Sequence, residues 1–191
     1  MKKILLMLVH LQVKSLYRHL RSSLYIRYGT KPINLHVGCG KKRFEGFINM
    51  DLNPHEAVDY VGDISTLPGR SNSIARIEWY HVIEHIPLTH VKLTLSKLLD
   101  VLTPGGSLIT ECPNLKQAIT EYMEGNNERL YSIYGRQRFP GDAHHWGYTP
   151  EALATLLRSI GFEQICIKPA QDDHAGTEPC MRVECKKPGK S

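Results

Sequence analysis

The chain is expected to fold as an α/β protein, a doubly wound, mostly parallel seven-stranded sheet with an N-terminal amphipathic helix. Three observations lead there. Short apolar runs that end in Gly, Asp or Pro alternate with longer segments of helical period, and that alternation builds a parallel sheet covered on both faces. The short runs number seven, and 191 residues is the size of a single such unit with a short appendage. With 41% hydrophobic and 23% charged residues, and only 15 Gly and 11 Pro, fibrous and wholly disordered chains are excluded.

Residues 1–31 differ from the rest. Val9, Val13, Leu16, Leu20 and Leu24 recur at spacings of three and four, with Lys14, Arg18 and Arg21 on an adjoining face, so the segment reads as an amphipathic helix. Residues 1–44 carry ten basic side chains and no acidic one, which leaves 14 basic against 19 acidic in the remainder. The net charge of +5 is thus a basic leader on an acidic body. The apolar stripe of residues 1–30 is expected either on the protein's own core or on an anionic membrane surface or a partner. The opening MKKILLMLVHLQVKS has the basic end and apolar run of a signal peptide, but bulky, basic LYRHLRSSLYIRY follows where small residues would mark cleavage. Its apolar run is also too short to span a bilayer. Five cysteines without a CxxC pair fit a reducing compartment. The expected location is cytoplasmic, or peripheral at the inner face of the membrane.

From residue 32 to residue 191 the pattern is that of one domain. Ile33–Val37 is a buried strand that runs into Gly38 and Gly40; Phe47–Asp51 and Asp59–Asp63 are two more, each ending on an aspartate. Ala75–His81 is the fourth. Leu88, Val91, Leu95, Leu98 and Leu102 keep helical spacing up to the stop Thr103–Gly106, and Ser107–Cys112 forms the fifth strand. Thr149 as N-cap, Pro150 at the first turn and Gly161 as stop frame a further helix. Two strands, EQICIKP and CMRVECKK, close the chain around a polar loop.

In such sheets ligands bind beyond the carboxyl ends of the strands, which gathers Gly38, Gly40, Asp51, Asp63 and His81 around one crevice. Glycines after the first strand let a ligand approach the backbone, and an acid at the end of the second can accept both hydroxyls of a ribose. Asp51 follows Gly40 by only eleven residues, too few for the pyrophosphate-binding helix of a dinucleotide site.

Six segments in order carry a resemblance: LHVGCG, INMDLNP, VGDISTLP, WYHVIEHIP, LTPGGSLIT and HHWGYTPEALATLLRSIGF. From about Asn34 to Phe162, and more weakly to Lys187, the chain resembles the Rossmann-like (class I) S-adenosylmethionine-dependent methyltransferases, in the small bacterial, type 11-like form with a shortened first helix. The resemblance implies S-adenosyl-L-methionine as cofactor and S-adenosyl-L-homocysteine as product. It implies that Gly38, Cys39 and Gly40 border the methionyl part, that Asp51 with Leu52 holds the ribose, that Asp63 and the Ile64 amide meet the adenine, and that His81 lies by the amino-acid end. Lys41, Lys42 and Arg43 depart from the pattern and are expected either to meet a carboxylate or phosphate or to be a solvated basic turn.

A general base is required when the acceptor is a hydroxyl or a protonated nitrogen. Glu84, His85, His144 and His145 are the candidates, His85 the best placed and His145 its companion. The stretch 125–148 shows no sustained period and reads as a lid. In it Arg136 and Arg138 suit a phosphate or carboxylate, and Trp146 and Tyr148 suit a sugar or aromatic ring. Similar Glu-His pairs help hold a metal or a bicarbonate ion in some relatives, but Glu84 and His85 are only two adjacent ligand-type residues, so no metal is expected. Adenine-N6 chemistry is disfavoured because HVIEHIP stands where Asn/Asp-Pro-Pro-aromatic would, and Cys112 reads as a buried structural thiol. The leading expectation is O- or N-methylation of a small-molecule, glycan or nucleotide-sugar acceptor. A catalytically idle cofactor-binding regulator or scaffold and an RNA methyltransferase are the alternatives. Nucleic acid is the less favoured partner, because the body is acidic and lacks an RNA-binding module.

Overall fold

A computed structural model describes residues 2–189, with side chains from Val13 onward; Val9 of the leader stripe lies outside the described side chains. Helix α1 (Lys2–Tyr28) precedes strands β1 (Ile33–Val37), β2 (Ile48–Asp51), β3 (Tyr60–Val61) and β4 (Ile74–Tyr80). Helix α2 (Leu88–Val101) leads directly into β5 (Leu102–Pro113), followed by helices α3 (Leu115–Met123), α4 (Arg129–Tyr134) and α5 (Pro150–Ile160) and strands β6 (Glu163–Pro169) and β7 (Cys180–Lys186).

The seven strands form one sheet in the order β3-β2-β1-β4-β5-β7-β6. Every pairing is parallel except those of β7, which runs antiparallel to both β5 and β6. The strand order reverses direction between β1 and β4, so the crevice of such a sheet opens at their carboxyl ends. The central strands are apolar because both faces are covered: Leu35, Ile77, Trp79 and Leu108 are fully buried, and Val91, Leu95 and Leu98 of α2 and Leu153 and Leu157 of α5 pack on them. Each such side chain contributes about 1.5–3 kcal/mol by leaving water. The α5 signals act as expected: Thr149 accepts from the Ala152 amide, Pro150 opens the first turn, and Gly161 ends the helix in a left-handed conformation.

Between β1 and β2 a short loop stands where a helix often lies, and buried Asn49 organises it. Its side chain accepts from the Phe44 amide at 2.8 Å and donates to the carbonyls of Phe44 and Phe47, while His36 stacks on Phe44 with ring centroids 3.9 Å apart. Arg43 turns inward to Asp59 at 2.8 Å and to the Ala57 carbonyl, and Lys42 pairs with Asp173. The three basic residues after the glycine loop are thus divided between structural pairing and an exposed Lys41.

The leader is a helix, and its apolar stripe is not what docks. Ile26 is 1% exposed, His19 accepts from the Val61 amide and stacks on Tyr60, and Arg18 donates to the Glu56 carbonyl. Val13, Leu16, Leu20 and Leu24, on the opposite side of the helix at 100° per residue, are 53–59% exposed. No helix among the described residues is long and apolar enough to cross a membrane. One further departure concerns the region read as a lid: it contains helix α4, which ends at Gly135 at a φ of 77°. Just ahead of it lies α3, capped by Asn114, in a stretch without clear apolar periodicity.

Candidate functional site

A cleft of about 640 Å³ opens at the carboxyl ends of β1, β2 and β4. One half is built by strand ends. Gly38 has a φ of 70°, and a Cβ there would sit 2.3 Å from Val82 Cγ2, so only glycine lets the loop pass this close to the turn after β4. Asp51, Leu52, Asp63 and Ile64 line the same half. Neither carboxylate is idle: Asp51 Oδ2 accepts from the Gly40 amide at 2.8 Å and Oδ1 from the Asn53 amide at 2.9 Å, while Asp63 Oδ1 caps a short 3-10 turn through the Ser65 amide at 2.8 Å. Cys39 and Gly40 belong to the loop but do not line the cleft; the Cys39 thiol is buried, and burial with Asp51 nearby pushes its pKa up to about 12.

His81 stands where the halves meet. Its φ of 51° is left-handed, a conformation that non-glycine residues seldom adopt outside constrained sites. Its amide donates to the Glu111 carbonyl, and its Nε2 meets Asp172 at 2.8 Å. Burial opposes a charge on this imidazole, but the hydrogen bond to Asp172 and the contacts with Cys180 and Glu84 outweigh it and raise its pKa to about 12. Asp172 is held far below the usual carboxylate range: burial opposes this, and hydrogen bonds with His174 and His81 prevail. The loop bearing Asp172 is fixed from below by Glu111, which accepts from the Gln171 and Asp172 amides at 3.0–3.1 Å. Asp172 and His174 were unremarkable in sequence, members of a polar loop; no local pattern marks them.

The other half is formed by Glu84, His85, α2 and the 125–148 stretch, with Tyr131, Phe139 and His144 on its wall. Arg136 and Arg138 reach this wall, but each is already paired, Arg136 with Glu178 at 3.5 Å and Arg138 with Asp142 at 2.9 and 3.0 Å. Of the two adjacent histidines, His144 faces the cleft and His145 does not. The His144 amide donates to the Tyr134 carbonyl and its Nδ1 faces the Ser132 carbonyl, while the His145 amide donates to the Glu84 carbonyl at 2.7 Å. The chain bends at Ala143 and His145, and the His145 and Trp146 amides both turn to the Glu84 carbonyl, which leaves the two imidazoles in different settings. His145 is exposed, Trp146 is 47% exposed outside the cleft, and Tyr148 is 3% exposed within the core cluster that holds Cys112. The expected roles of His145, Trp146 and Tyr148 at the acceptor do not correspond to their positions. His85 and Glu84 do line the cleft as expected.

No protein-family model and no curated protein sequence matches the chain. Solved structures do. A SAM-dependent methyltransferase from Archaeoglobus fulgidus shares 14% identity over 93% of this chain and 94% of its own, with a TM-score of 0.58. A SAM-dependent methyltransferase described as a possible histamine N-methyltransferase, from Thermotoga maritima, shares 17% over 98% and 100%, with a TM-score of 0.59. The 1,6-didemethyltoxoflavin-N1-methyltransferase of Burkholderia thailandensis, solved with 1,6-didemethyltoxoflavin and S-adenosylhomocysteine bound, shares 15% over 90% and 78%, with a TM-score of 0.55. The fold of this chain is the fold of these SAM-dependent methyltransferases.

Proposed function

We propose that this protein is an S-adenosylmethionine-dependent methyltransferase acting on oxygen or nitrogen of a small-molecule, glycan or nucleotide-sugar acceptor. The observation that carries the reading is one continuous cleft with two chemically distinct halves. Gly38, Asp51 and Asp63 offer a close-approach loop and two carboxylates suited to a ribose and an adenine amino group, and Glu84, His85 and His144 stand across from them. The shared fold and the small-molecule acceptor of the Burkholderia enzyme agree with it. In the transfer the acceptor atom attacks the methyl carbon as the carbon–sulfur bond breaks, and the electron pair returns to sulfur to give neutral S-adenosylhomocysteine. The acceptor proton leaves on the side of the cleft formed by Glu84, His85 and His144. Because the sulfonium charge vanishes in the step, holding the two reactants in line supplies much of the acceleration. The test is calorimetry with S-adenosylhomocysteine, followed by incubation with labelled S-adenosylmethionine and a panel of nucleotide sugars and small hydroxyl and amine compounds. Micromolar binding and label transfer to one class are expected; absence of cofactor binding overturns the reading.

We infer in addition that α1 rests on an anionic membrane surface. Its exposed stripe Val13, Leu16, Leu20 and Leu24 is flanked by exposed Lys14, Arg21 and Arg27, with no acidic residue before Glu45. An apolar face with cations and no acid beside it matches acyl chains beneath anionic headgroups.

A further inference from the structure

We propose that Glu84, His85 and His144 form a binding site for a divalent transition-metal cation at the acceptor end of the cleft. One ligand atom from each lies within 4.8 Å of the others, with no ion present. Glu84 is 1% exposed and both its carboxylate oxygens lack a hydrogen-bond partner; His81 Nδ1 lies 3.3 Å from Oε1 without hydrogen-bond geometry. A buried carboxylate left without donors is costly unless a cation faces it.

The two histidines are set up as ligands. His85 Nδ1 lies 3.0 Å from the Ala143 carbonyl and His144 Nδ1 3.1 Å from the Ser132 carbonyl. A carbonyl only accepts, so each Nδ1 carries the proton and each Nε2 keeps its lone pair, the arrangement by which a backbone carbonyl orients a metal-bound histidine. The rings meet nearly edge to face, 4.8 Å between centroids at 79°. One nitrogen of each ring and a carboxylate oxygen thus lie together at the cleft wall. The nearby cations are committed elsewhere: Arg138 to Asp142, Arg136 to Glu178, and His81 chiefly to Asp172.

Two imidazoles and a carboxylate suit Zn²⁺, Mn²⁺ or Co²⁺ better than Mg²⁺ or Ca²⁺, which prefer oxygen alone. Three protein ligands leave a coordination position, and the cleft offers it to an oxygen of the acceptor. A cation held there would polarise an acceptor hydroxyl in that position and lower its pKa, so that its proton could pass to water. The histidines then act as ligands, and the acceptor class narrows to compounds with a hydroxyl or a neighbouring oxygen donor. The site stands apart from the methyl-transfer reading: metal binding without transfer would leave it intact, and transfer by metal-free protein would leave that reading intact.

The test uses full-length protein stripped with chelator and titrated with Co²⁺ and Zn²⁺, read by the visible Co²⁺ absorption and by calorimetry. One equivalent is expected to bind. Glu84→Gln and His144→Gln are expected to weaken binding by more than the ~10–100-fold that loss of an outer partner costs. His145→Ala, one residue away and outside the cleft, is expected to bind as wild type does. Should Glu84→Gln lose its native circular dichroism, His144→Gln decides alone. Failure of the wild type to bind either metal, or undiminished binding in His144→Gln, overturns the proposal.

Discussion

The Gly40 amide donates to Asp51 Oδ2 at 2.8 Å, and this bond ties the loop after β1 to the end of β2. The same carboxylate takes the Asn53 amide on its other oxygen. Asp51 thereby holds the backbone of the glycine loop in place and presents its remaining lone pairs to the cleft. Asp51→Ala is expected to weaken S-adenosylhomocysteine binding by about 1.5–3 kcal/mol, the range for hydrogen bonds to charged groups. Calorimetry that finds unchanged affinity removes Asp51 from the cofactor site.

The tandem histidines give a sharper contrast. His144 lines the cleft and His145 is exposed outside it. With an identified acceptor, His144→Ala is expected to lower the transfer rate ~100-fold, the scale of lost positioning of reacting groups. His145→Ala is expected to stay within about twofold of wild type, as surface changes do. Equal rates in wild type and His144→Ala would contradict the assignment.

Asp59 supplies a stability prediction with a defined sign. Its pKa is lowered in the fold: burial opposes this, and hydrogen bonds from Arg43 and from Asn49 outweigh it. A carboxyl with a depressed folded pKa stabilises the protein above its unfolded value of about 3.9, and that contribution is lost as pH falls toward the folded value. Asp59→Ala is expected to reduce the unfolding free energy at neutral pH by about 1.5–3 kcal/mol, with the gap from wild type narrowing below about pH 4. Denaturant titrations at several pH values read both; coincident curves at neutral pH refute it.

The leader offers a test that spares the core. Leu16 and Leu20 are more than half exposed and project away from the docking face of α1, so Leu16→Glu with Leu20→Glu is expected to leave folding and cofactor binding unchanged. The same pair is expected to abolish sedimentation with vesicles rich in anionic lipid, and raised salt is expected to weaken wild-type sedimentation. Wild-type protein that stays in the supernatant refutes the membrane reading.

Local pattern was enough for the seven strands and for α1, α2 and α5, whereas α3 and α4 carry no clear apolar period. Period-two and period-3.6 apolar runs reflect which faces are covered, and that information sits within a few residues of each position; the seven strands, Thr149 as cap, Gly161 as stop and the strand-end carboxylates Asp51 and Asp63 are all of this kind. Partners distant in sequence are of another kind. His85 meets the Ala143 carbonyl across 58 residues, and Glu111 holds the Gln171 amide across 60. That His144 and not His145 faces the cleft follows from a bent segment tied to the Glu84 carbonyl about 60 residues earlier in the chain. Arg43, open in sequence to an anion or to solvent, is claimed by Asp59, and the leader's apolar stripe, open to the core or to an outside surface, is left exposed. Only the packed chain decides such choices, because each is a competition among groups that become neighbours when the sheet closes.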